Sequence, residues 1–304
     1  MPPKGRGSES GMTRWLITGA AGMVGTDLQY ALSVAEEDFT ALSHLDLDLT
    51  DEVGVRRAVA THRPTVIVNC AAWTRVDDAE LREDEAARIN GTAVGYLAAA
   101  CNRTGTLLTQ ISTDFVFDGA GRAPYEIDAA VAPLSAYGRT KLIGETAAGT
   151  AHAHAIVRTS WLFGNSGPSF VEAIRRQIRA GKRELRVVND QRGRPTWTPH
   201  LAEALITISR AAERDAAARG IYHYADEPAC TWFELAEEIV AVMRETGELT
   251  EDVVVDPVSS SEFPRPAVRP AYSVLSTDRY ERELGGKPGS WKEGLREFLK
   301  RDAV

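Results

Sequence analysis

Short apolar segments alternate with longer segments of helical periodicity through the first half of the chain. RWLIT at 14–18 is a short apolar run, whereas 23–33 repeats apolar residues at helical spacing. This alternation predicts an α/β fold built on a Rossmann-type, doubly wound parallel sheet that helices cover on both faces. The predicted strands are 14–18, 39–42, 65–69, 106–112 and 155–160, and the predicted helices of this half are 23–33, 51–61 and 87–102.

The pattern becomes less regular after residue 165. Helices are predicted at 169–181 and 231–243. The second of them opens with Thr231 three residues before Glu234, which is a capping-box signature. Three prolines make 259–270 an expected irregular loop.

The change of pattern indicates two unequal domains. Residues 12–164, which contain the glycine-rich run ITGAAGMVG at 17–25, are expected to form a Rossmann domain that binds NADP(H). Residues 165–304 are expected to form mainly a smaller α/β cap that completes a substrate pocket, with the chain crossing between the two lobes. Residues 1–11 are rich in Pro, Gly and Ser and lack the apolar segment of a secretory signal. We expect them to be a disordered leader, or an extension upstream of a start at Met12.

Composition and charge argue against several classes of protein. The chain has a formal net charge of -8 and a pI of about 5.4, so it offers no general attraction to a nucleic-acid backbone. Its apolar runs are too short to span a bilayer. Cys70, Cys101 and Cys230 show no metal-site or disulfide-framework spacing and fit a reducing compartment. We expect a cytoplasmic protein with a small-molecule ligand and no nucleic-acid, membrane or metal partner.

A glycine-rich loop separates the first predicted strand from the first predicted helix. In ITGAAGMVG, Gly19 permits a tight turn, Gly22 lets the backbone approach a pyrophosphate, and Gly25 lets the helix pack closely on the strand. The N-terminus of the helix then presents free N–H groups and partial positive charge to phosphates. The loop therefore predicts dinucleotide binding.

The end of the second predicted strand bears on the choice of dinucleotide. An acidic side chain there would bind the 2′-hydroxyl of NAD and repel the 2′-phosphate of NADP. Ser43 and His44 follow Leu42 instead, and Ser43 can donate a hydrogen bond to a phosphate. This favours NADPH. NADH is the alternative if the strand ends later, because Asp46 and Asp48 follow closely; Asp48 is expected to lie against the adenine.

Three residues carry the expected catalysis. Tyr137 and Lys141 form a Y-x-x-x-K motif in PLSAYGRTKLIGE, where helical spacing places both side chains on one face. The lysine ammonium would lower the tyrosine pKa, which suits the pair to acid–base catalysis. Thr113, at the end of the strand predicted at 106–112, can polarise a carbonyl. We expect a reductase in which hydride from NADPH reaches the carbonyl carbon and Tyr137 protonates the oxygen, while Lys141 also holds the nicotinamide ribose.

Five further segments resemble those of dTDP-4-dehydrorhamnose reductases, a family of the extended short-chain dehydrogenase/reductase superfamily. They are VNCAAWTRVDDAE (68–80), STDFVFDG (112–119), RTSWLFG (158–164), NDQRGRPT (189–196) and RPAYSVLS (269–276). The G-x-x-G-x-x-G spacing is typical of the same superfamily, and the similarity extends from Met12 to the C-terminus. It implies NADPH-dependent reduction of dTDP-4-dehydro-6-deoxy-L-mannose to dTDP-L-rhamnose in deoxysugar biosynthesis.

The resemblance also implies roles for individual residues. Trp161 would pack against the sugar, with a core position as the alternative. Arg192, Arg194 and Arg269 would offer positive charge to the diphosphate, or else lie on the solvated surface. The implied substrate contacts are Val76, Thr113, Asp114, Trp161, Gln191 and Arg269. The implied cofactor contacts are Gly19, Gly22, Met23, Val24, Gly25, Ser43, His44, Asp48, Leu49, Cys70, Ala71, Ala72, Thr74, Tyr137 and Lys141.

Some positions depart from the family pattern. Ser169 stands where an asparagine usually precedes Phe170, and Trp73 can reshape the sugar pocket. Asp27 matches one acidic position of a magnesium site at a dimer interface, but Pro199 occupies another, so we carry over neither the metal nor that dimer. A monomer and a homodimer both stay open. The product stays open too, since related antibiotic-pathway reductases make other sugars, such as the dihydrostreptose of streptomycin.

Two other functions and one residue role are also left open. Some relatives with this fold are regulatory subunits, for example of methionine adenosyltransferase, and bind NADP without evident turnover. An epimerase or dehydratase is less favoured, because Phe115 rather than a second carboxylate follows Asp114. Asn90 is expected either to serve as an anchor or proton relay, as in many members of the superfamily, or to make a plain structural hydrogen bond.

Overall fold

A computed structural model of the protein describes residues 12–301, and the leader predicted at 1–11 lies outside the described residues. In chain order the strands are β1 (Arg14–Thr18), β2 (Asp38–Leu42), β3 (Val66–Asn69), β4 (Leu107–Thr113), β5 (His154–Thr159), β6 (Leu162–Phe163), β7 (Glu184–Val188), β8 (Arg192–Gly193), β9 (Thr196–Trp197), β10 (Gly220–His223), β11 (Cys230–Thr231) and β12 (Val254–Val258). The helices are α1 (Met23–Val34), α2 (Glu52–His62), α3 (Val76–Leu81), α4 (Glu83–Ala87), α5 (Ala93–Thr104), α6 (Ala136–Ala148), α7 (Phe170–Arg179), α8 (Thr198–Arg214), α9 (Trp232–Glu245), α10 (Asp278–Leu284) and α11 (Trp291–Arg301).

A six-stranded parallel sheet forms the centre of the molecule, which confirms the predicted α/β fold class. Its strand order is β10-β5-β4-β3-β1-β2. From β1 the chain passes to β2 on one side and then back to β3 on the other. This reversal makes a topological switch point at the carboxyl ends of β1 and β3, where sheets of this kind hold their ligands.

Helices cover both faces of this sheet because consecutive strand residues point to opposite sides. Trp15 and Ile17 of β1 pack in one apolar cluster with Leu28 of α1 and Leu205 of α8. Leu16 packs in the cluster on the other face, which α2 and α5 complete. The inner strands β1, β3 and β4 are thus buried on two sides, which explains why they read as continuous apolar runs.

Two elements that were not predicted, α8 and β10, extend this sheet half. Helix α8 packs against α1, and β10 pairs with β5 in parallel. The start of α8 lacks a side-chain cap, and Pro199 in its first turn is the one start signal that the sequence offered. Both elements follow residue 164 in the chain and yet pack with the sheet. The division into domains at residue 164 stays a prediction.

Helix α10 packs on α8 and β10, and most of the other C-terminal elements build a second apolar core, called here the cap core. It consists of the buried apolar side chains of α7, β7, α9 and α11 and of their neighbours. The predicted capping box at α9 is confirmed: Thr231 Oγ1 accepts from the Glu234 amide at 3.1 Å, and Glu234 accepts from the Thr231 amide at 2.7 Å. Arg175, fully buried, forms an ion pair with Glu248, with Nη2 2.8 Å from Oε2.

The predicted helix at 87–102 differs most from the observed one. The helical segment begins earlier, as α4, and passes through a π-helical turn at Arg88–Thr92 before it continues as α5. The turn contains Asn90, whose side chain hydrogen-bonds with Trp73 and Thr140. Turns of π-helix often occur at functional sites. The loop predicted at 259–270 is irregular apart from one short turn at Ser260–Glu262. No helix within residues 12–301 has the length and apolar character needed to cross a membrane.

Candidate active site

The glycine loop forms a close-fitting cradle at the switch point. Gly19 has a φ of 67°, and a Cβ there would lie 2.5 Å from the Ala71 amide nitrogen. A Cβ at Gly25 would lie 2.5 Å from the Gly19 carbonyl oxygen. The exposed Gly22 opens α1, whose first turn carries no acidic side chain. The backbone here can therefore approach a diphosphate, and the positive end of the helix faces it without competing carboxylates.

The end of β2 differs from expectation in one respect. Ser43 donates to the Asp46 carboxylate through both its hydroxyl, at 2.6 Å, and its amide, at 2.9 Å. These hydrogen bonds lower the pKa of Asp46, so a carboxylate does lie beside the serine that was expected to meet a 2′-phosphate. Asp48, expected against the adenine, accepts from the Thr50 hydroxyl and amide, each at 2.8 Å.

The other implied cofactor residues lie around the switch point. Cys70 follows β3 and faces Lys141, and burial raises the pKa of its thiol to about 12. It is therefore a neutral group at physiological pH. Of the remaining positions, Met23 and Val24 open α1, His44 and Leu49 lie between β2 and α2, and Ala71, Ala72 and Thr74 lie between β3 and α3.

Helix α6 brings the catalytic candidates together. It begins at the Ser135 N-cap, and a Cβ at Gly138 would lie 2.2 Å from the Phe115 carbonyl oxygen. The glycine next to Tyr137 thus allows the helix to press against the chain just after Thr113. Lys141, 3% exposed, donates from Nζ to the Ile111 carbonyl of β4 at 2.6 Å.

The pKa values of the two residues on α6 correct one expectation. Burial raises the pKa of Tyr137 to about 12, and a hydrogen bond with Thr113 only partly offsets this. The predicted lowering by Lys141 is therefore wrong for this state, because removal of the phenol from water dominates. Burial lowers the pKa of Lys141 to about 8, against the opposing charge of Glu145. A protonated phenol suits a residue that must donate a proton in a reduction.

Asp114 extends this polar group towards the cap. Its Oδ1 accepts from the Thr113 hydroxyl at 3.0 Å, and the side chain is 1% exposed. Burial raises the pKa of Asp114 to about 6, although hydrogen bonds from Ser273 and Thr113 oppose the shift. Asp114 is thus a carboxylate that can be protonated near neutral pH.

Asn90 and Trp73 form the wall behind Tyr137. Asn90 accepts from the Trp73 amide at 2.8 Å and donates to the Trp73 carbonyl at 3.1 Å and to Thr140 at 3.0 Å. This geometry favours the anchoring role of Asn90, because its side-chain amide hydrogen-bonds both to the loop after β3 and to α6. The ring of Trp73, 9% exposed, packs in one apolar cluster with Tyr137. The departure at Trp73 therefore lies beside the catalytic helix.

On the cap side, Trp161 lies in an aromatic stack. Its backbone has a φ of 49°, which a large side chain rarely adopts. The indole stacks on Trp232 with ring centroids 3.5 Å apart, and a Cβ at Gly193 would lie 2.5 Å from its Cε2. Gln191 accepts from the Trp232 indole at 3.2 Å. Sequence reasoning missed Trp232, since no local motif links it to residues 71 positions earlier.

The three arginines expected to meet a diphosphate have partners within the protein. Arg269 forms two hydrogen bonds with Asp77, at 2.7 and 2.8 Å, and so ties the loop at 264–270 to α3, which Val76 opens. Arg194 is 6% exposed and donates to the Leu275 carbonyl at 2.8 Å and to Glu227. Its guanidinium is thus paired within the protein, and the expected contact of Arg194 with a diphosphate stays a prediction. Arg192 is half exposed and donates to the Ala229 carbonyl at 3.1 Å.

Two of the positions that were compared with the family pattern, Asp27 and Ser169, have structural roles. Asp27, on α1, accepts from the hydroxyl of Thr198, the first residue of α8, and so joins α1 to α8. Ser169, at the departure from the usual asparagine, is the N-cap of α7 and accepts from the Glu172 amide at 3.2 Å. Serine and asparagine are equally good N-caps, so this departure preserves the local structure.

Comparison with known proteins decides the family. A model of the RmlD substrate binding domain matches residues 13–304. The chain belongs to the RmlD family of dTDP-4-dehydrorhamnose reductases. The predicted family is thereby confirmed.

Individual relatives in this family have different names. The chain is 46% identical to the probable dTDP-4,6-dihydroxy-2-methyloxan-3-one 4-ketoreductase of Streptomyces antibioticus, over 93% of this chain and 94% of that one. It is 42% identical to the dTDP-4-dehydrorhamnose reductase of Streptomyces griseus, over 93% and 92%. The solved structure of the Bacillus anthracis dTDP-4-dehydrorhamnose reductase in complex with NADP superposes with a TM-score of 0.88, at 35% identity, over 95% and 99% of the two chains.

Proposed function

We propose that the chain is an NADPH-dependent reductase of the 4-keto group of a dTDP-4-dehydro-6-deoxy-L-sugar. Its preferred reaction would convert dTDP-4-dehydrorhamnose to dTDP-L-rhamnose. The observation that carries the proposal is the meeting of Thr113, Tyr137 and Lys141 at the carboxyl end of β4, next to the glycine cradle. Cys70 links the two parts of the site, because the chain at Cys70 and Ala71 packs against Gly19 and the Cys70 thiol faces Lys141.

The cradle fits the diphosphate of a dinucleotide, and when bound, NADPH would supply the hydride. Gly19, Gly22 and Gly25 would hold the diphosphate by close backbone approach at the α1 N-terminus. Ser43 and His44 would lie near the 2′-phosphate. The Bacillus anthracis relative carries NADP, which supports this choice over NADH.

The protein's own side chains account for the proton and the orientation of the ketone. On substrate binding the Thr113 hydroxyl would turn from Asp114 Oδ1 and donate its hydrogen bond to the carbonyl oxygen. Tyr137, which its raised pKa keeps protonated, transfers its proton to that oxygen as the carbonyl carbon becomes a secondary alcohol. The phenolate that remains is stabilised by the Lys141 ammonium, which is protonated below pH about 8. Asp114, Trp161, Gln191, Val76 and Arg269 are proposed to contact the sugar nucleotide.

A second product is favoured by two observations. The Streptomyces antibioticus relative, at 46% identity, bears the name of a different 4-ketoreductase, and Trp73 packs beside Tyr137 where it can shape the sugar site. We therefore keep a different dTDP-deoxysugar of an antibiotic pathway as the alternative product.

The proposed setting is the cytoplasm. The three thiols are free, which suits a reducing compartment. A monomer and a homodimer are both compatible with the chain, and sedimentation at several concentrations distinguishes them.

The first test follows NADPH absorbance with dTDP-4-dehydrorhamnose generated in situ and identifies the product by NMR. Wild type should consume NADPH and form dTDP-L-rhamnose. Tyr137→Phe should lose about 10²- to 10⁴-fold in kcat, because the proton donor is removed. Tyr30→Phe, at a position that is 67% exposed on α1, is the matched control and should behave as wild type.

Other outcomes separate the alternatives. If NADPH is consumed but a different sugar is formed, the proposed mechanism stands and the proposed product is wrong. Tight NADPH binding without turnover of any keto sugar would contradict the enzyme and favour the regulatory-subunit hypothesis. Equal rates for wild type and Tyr137→Phe would remove Tyr137 from the proposed catalytic role.

A further inference from the structure

Below the catalytic pair, α6 carries a third buried polar side chain. Tyr137, Lys141 and Glu145 follow one another at intervals of four residues and so share one face of the helix. Glu145 is 5% exposed. The reaction proposed above uses the first two residues and leaves the third without a role.

Glu145 joins α6 to both neighbouring strands of the sheet. Its Oε1 accepts from the Ser112 hydroxyl of β4 at 2.5 Å. Arg158 of β5 donates to Oε1 from Nε at 2.9 Å and to Oε2 from Nη2 at 2.8 Å. The two charged side chains are 5% and 3% exposed, so this is a buried, bidentate ion pair with an additional hydrogen bond.

Arg158 is itself held from the side opposite Glu145. Its Nη1 donates to the Ile127 carbonyl at 3.2 Å and lies 3.3 Å from His223 Nε2 of β10. Burial, together with the charge of Arg158, lowers the pKa of His223 to about 3, so the imidazole is neutral and accepts this hydrogen bond. The guanidinium also lies 5.1 Å from the centroid of the Phe117 ring. The ion pair is thus fixed in position at both ends.

The position of Ser112 connects this ion pair to catalysis. Ser112 stands between Ile111, whose carbonyl holds Lys141, and Thr113, the proposed carbonyl donor. A shift of the strand end relative to α6 would change both contacts at once. A buried ion pair is seldom more stabilising than an apolar pair of similar volume, so stability alone is a weak reason for one here.

We propose that Glu145 is a positioning residue: with Arg158 and Ser112 it clamps α6 to the end of β4 and fixes Lys141 and Thr113 relative to each other. The inference rests on the proposed function, because it assumes that these two residues act on a bound ketone. The clamp also places a negative charge one helical turn from the Lys141 ammonium. Apart from Glu145, the titratable group that acts on the Lys141 ammonium is the neutral Cys70 thiol.

The experiment compares two glutamates that each pair with a buried arginine. Glu145→Gln keeps the shape of the side chain and removes its charge. Glu248→Gln does the same to the ion pair with Arg175 in the cap core, where Arg175 is fully buried. We expect Glu145→Gln to lower kcat about 10- to 100-fold with little change in sugar KM, as expected for misplaced catalytic groups. Glu248→Gln should keep the wild-type kcat even where its Tm falls.

A second readout does not depend on turnover. The chain has six lysines, so 13Cε-lysine NMR can follow the Lys141 signal, assigned by its loss in Lys141→Met. Glu145→Gln should lower the pKa of Lys141 and shift the alkaline limb of kcat to lower pH, because an opposing negative charge is gone. Glu248→Gln should leave both unchanged.

The outcomes are distinct. Should Glu145→Gln fail to fold, Ser112→Ala removes only the link to β4 and should still reduce kcat several-fold, with recovery in Ser112→Thr. Wild-type kcat and an unchanged Lys141 titration in the folded Glu145 variant would overturn the proposal, as would equal effects of the two glutamate variants. If wild type reduces no keto sugar, the proposed function fails, whereas the lysine titration still decides whether Glu145 acts on Lys141.

Discussion

On the sheet side of the candidate site, Tyr137 and Lys141 project from one helix onto the end of β4. Lys141 donates to the Ile111 carbonyl there, and Tyr137 hydrogen-bonds with Thr113. On the cap side, Trp161 and Arg269 instead have partners on segments far away in the chain, namely Trp232 and Asp77. On the sheet side, contacts to β4 thus already hold the groups that are proposed to transfer the proton. The cap side holds its candidate substrate residues in contacts that a sugar nucleotide must use, share or replace.

This difference predicts where variants will act. Changes on the sheet side should lower kcat, because they disturb groups that act on the reacting carbonyl. Changes on the cap side should alter KM, because they disturb how the sugar nucleotide is held before reaction.

The largest effect is expected at Lys141. Burial lowers the pKa of this lysine to about 8, so its ammonium is present below that pH and is lost above it. The ammonium is proposed to stabilise the phenolate that remains after proton transfer. Wild-type kcat should therefore fall as the pH rises through about 8. Lys141→Met should lose about 100-fold in kcat at pH 7, and its kcat should not fall further as the pH rises through about 8. Steady-state rates from pH 6 to 10 would show both effects. Tyr137 cannot supply the limb, since its pKa is about 12.

Lys141→Arg is the control, because arginine keeps its charge across this range. Its residual activity should not decline near pH 8. A limb near pH 8 that persists in Lys141→Met would assign the ionisation to another group.

Local sequence signals account for most of the sheet side. The glycine loop and the Y-x-x-x-K motif depend on a few adjacent residues, and the structure gives Gly19 and Gly25 the close contacts that their spacing predicts. The direction of the Tyr137 pKa shift could not be predicted in this way. It depends on burial by Trp73 and its neighbours, which only the packed fold determines.

The cap side was predictable mainly through family resemblance. Resemblance pointed to Trp161 and Arg269, but their partners Trp232 and Asp77 carry no motif and lie 71 and 192 positions away in the sequence. Long-range pairs of this kind leave no periodic signal, because each residue alone looks like an ordinary surface or core position.

An intermediate effect is expected at Gly193. A Cβ there would stand 2.5 to 2.8 Å from three atoms of the Trp161 ring, so Gly193→Ala must displace the indole from its stack on Trp232. We expect sugar KM to rise about tenfold, equivalent to about 1.4 kcal/mol, with kcat and NADPH affinity nearly unchanged. Gly95→Ala in α5, where the nearest atom is 4.0 Å away, is the control and should match wild type. A fall in kcat without a KM change would place Trp161 outside the sugar contact.

The smallest effect is expected at the ion pair between Asp77 and Arg269, and its sign is informative. Both side chains are partly exposed, at 30% and 24%, so the pair should contribute no more than about 1 kcal/mol. If Arg269 binds the diphosphate, Asp77 competes for the same guanidinium. Asp77→Asn should then lower sugar KM by up to about fivefold, whereas Arg269→Gln should raise it.

These opposite signs separate two roles for one arginine. If Arg269 only ties the loop at 264–270 to α3, the two variants break the same contact and should change KM in the same direction. Salt sharpens the distinction, because an added electrolyte weakens both the ion pair and the attraction of a diphosphate. In the competing role, the advantage of Asp77→Asn should be greatest at low ionic strength and shrink as salt is added. A KM that rises in both variants at every salt concentration would assign Arg269 to loop structure and leave the diphosphate to other groups.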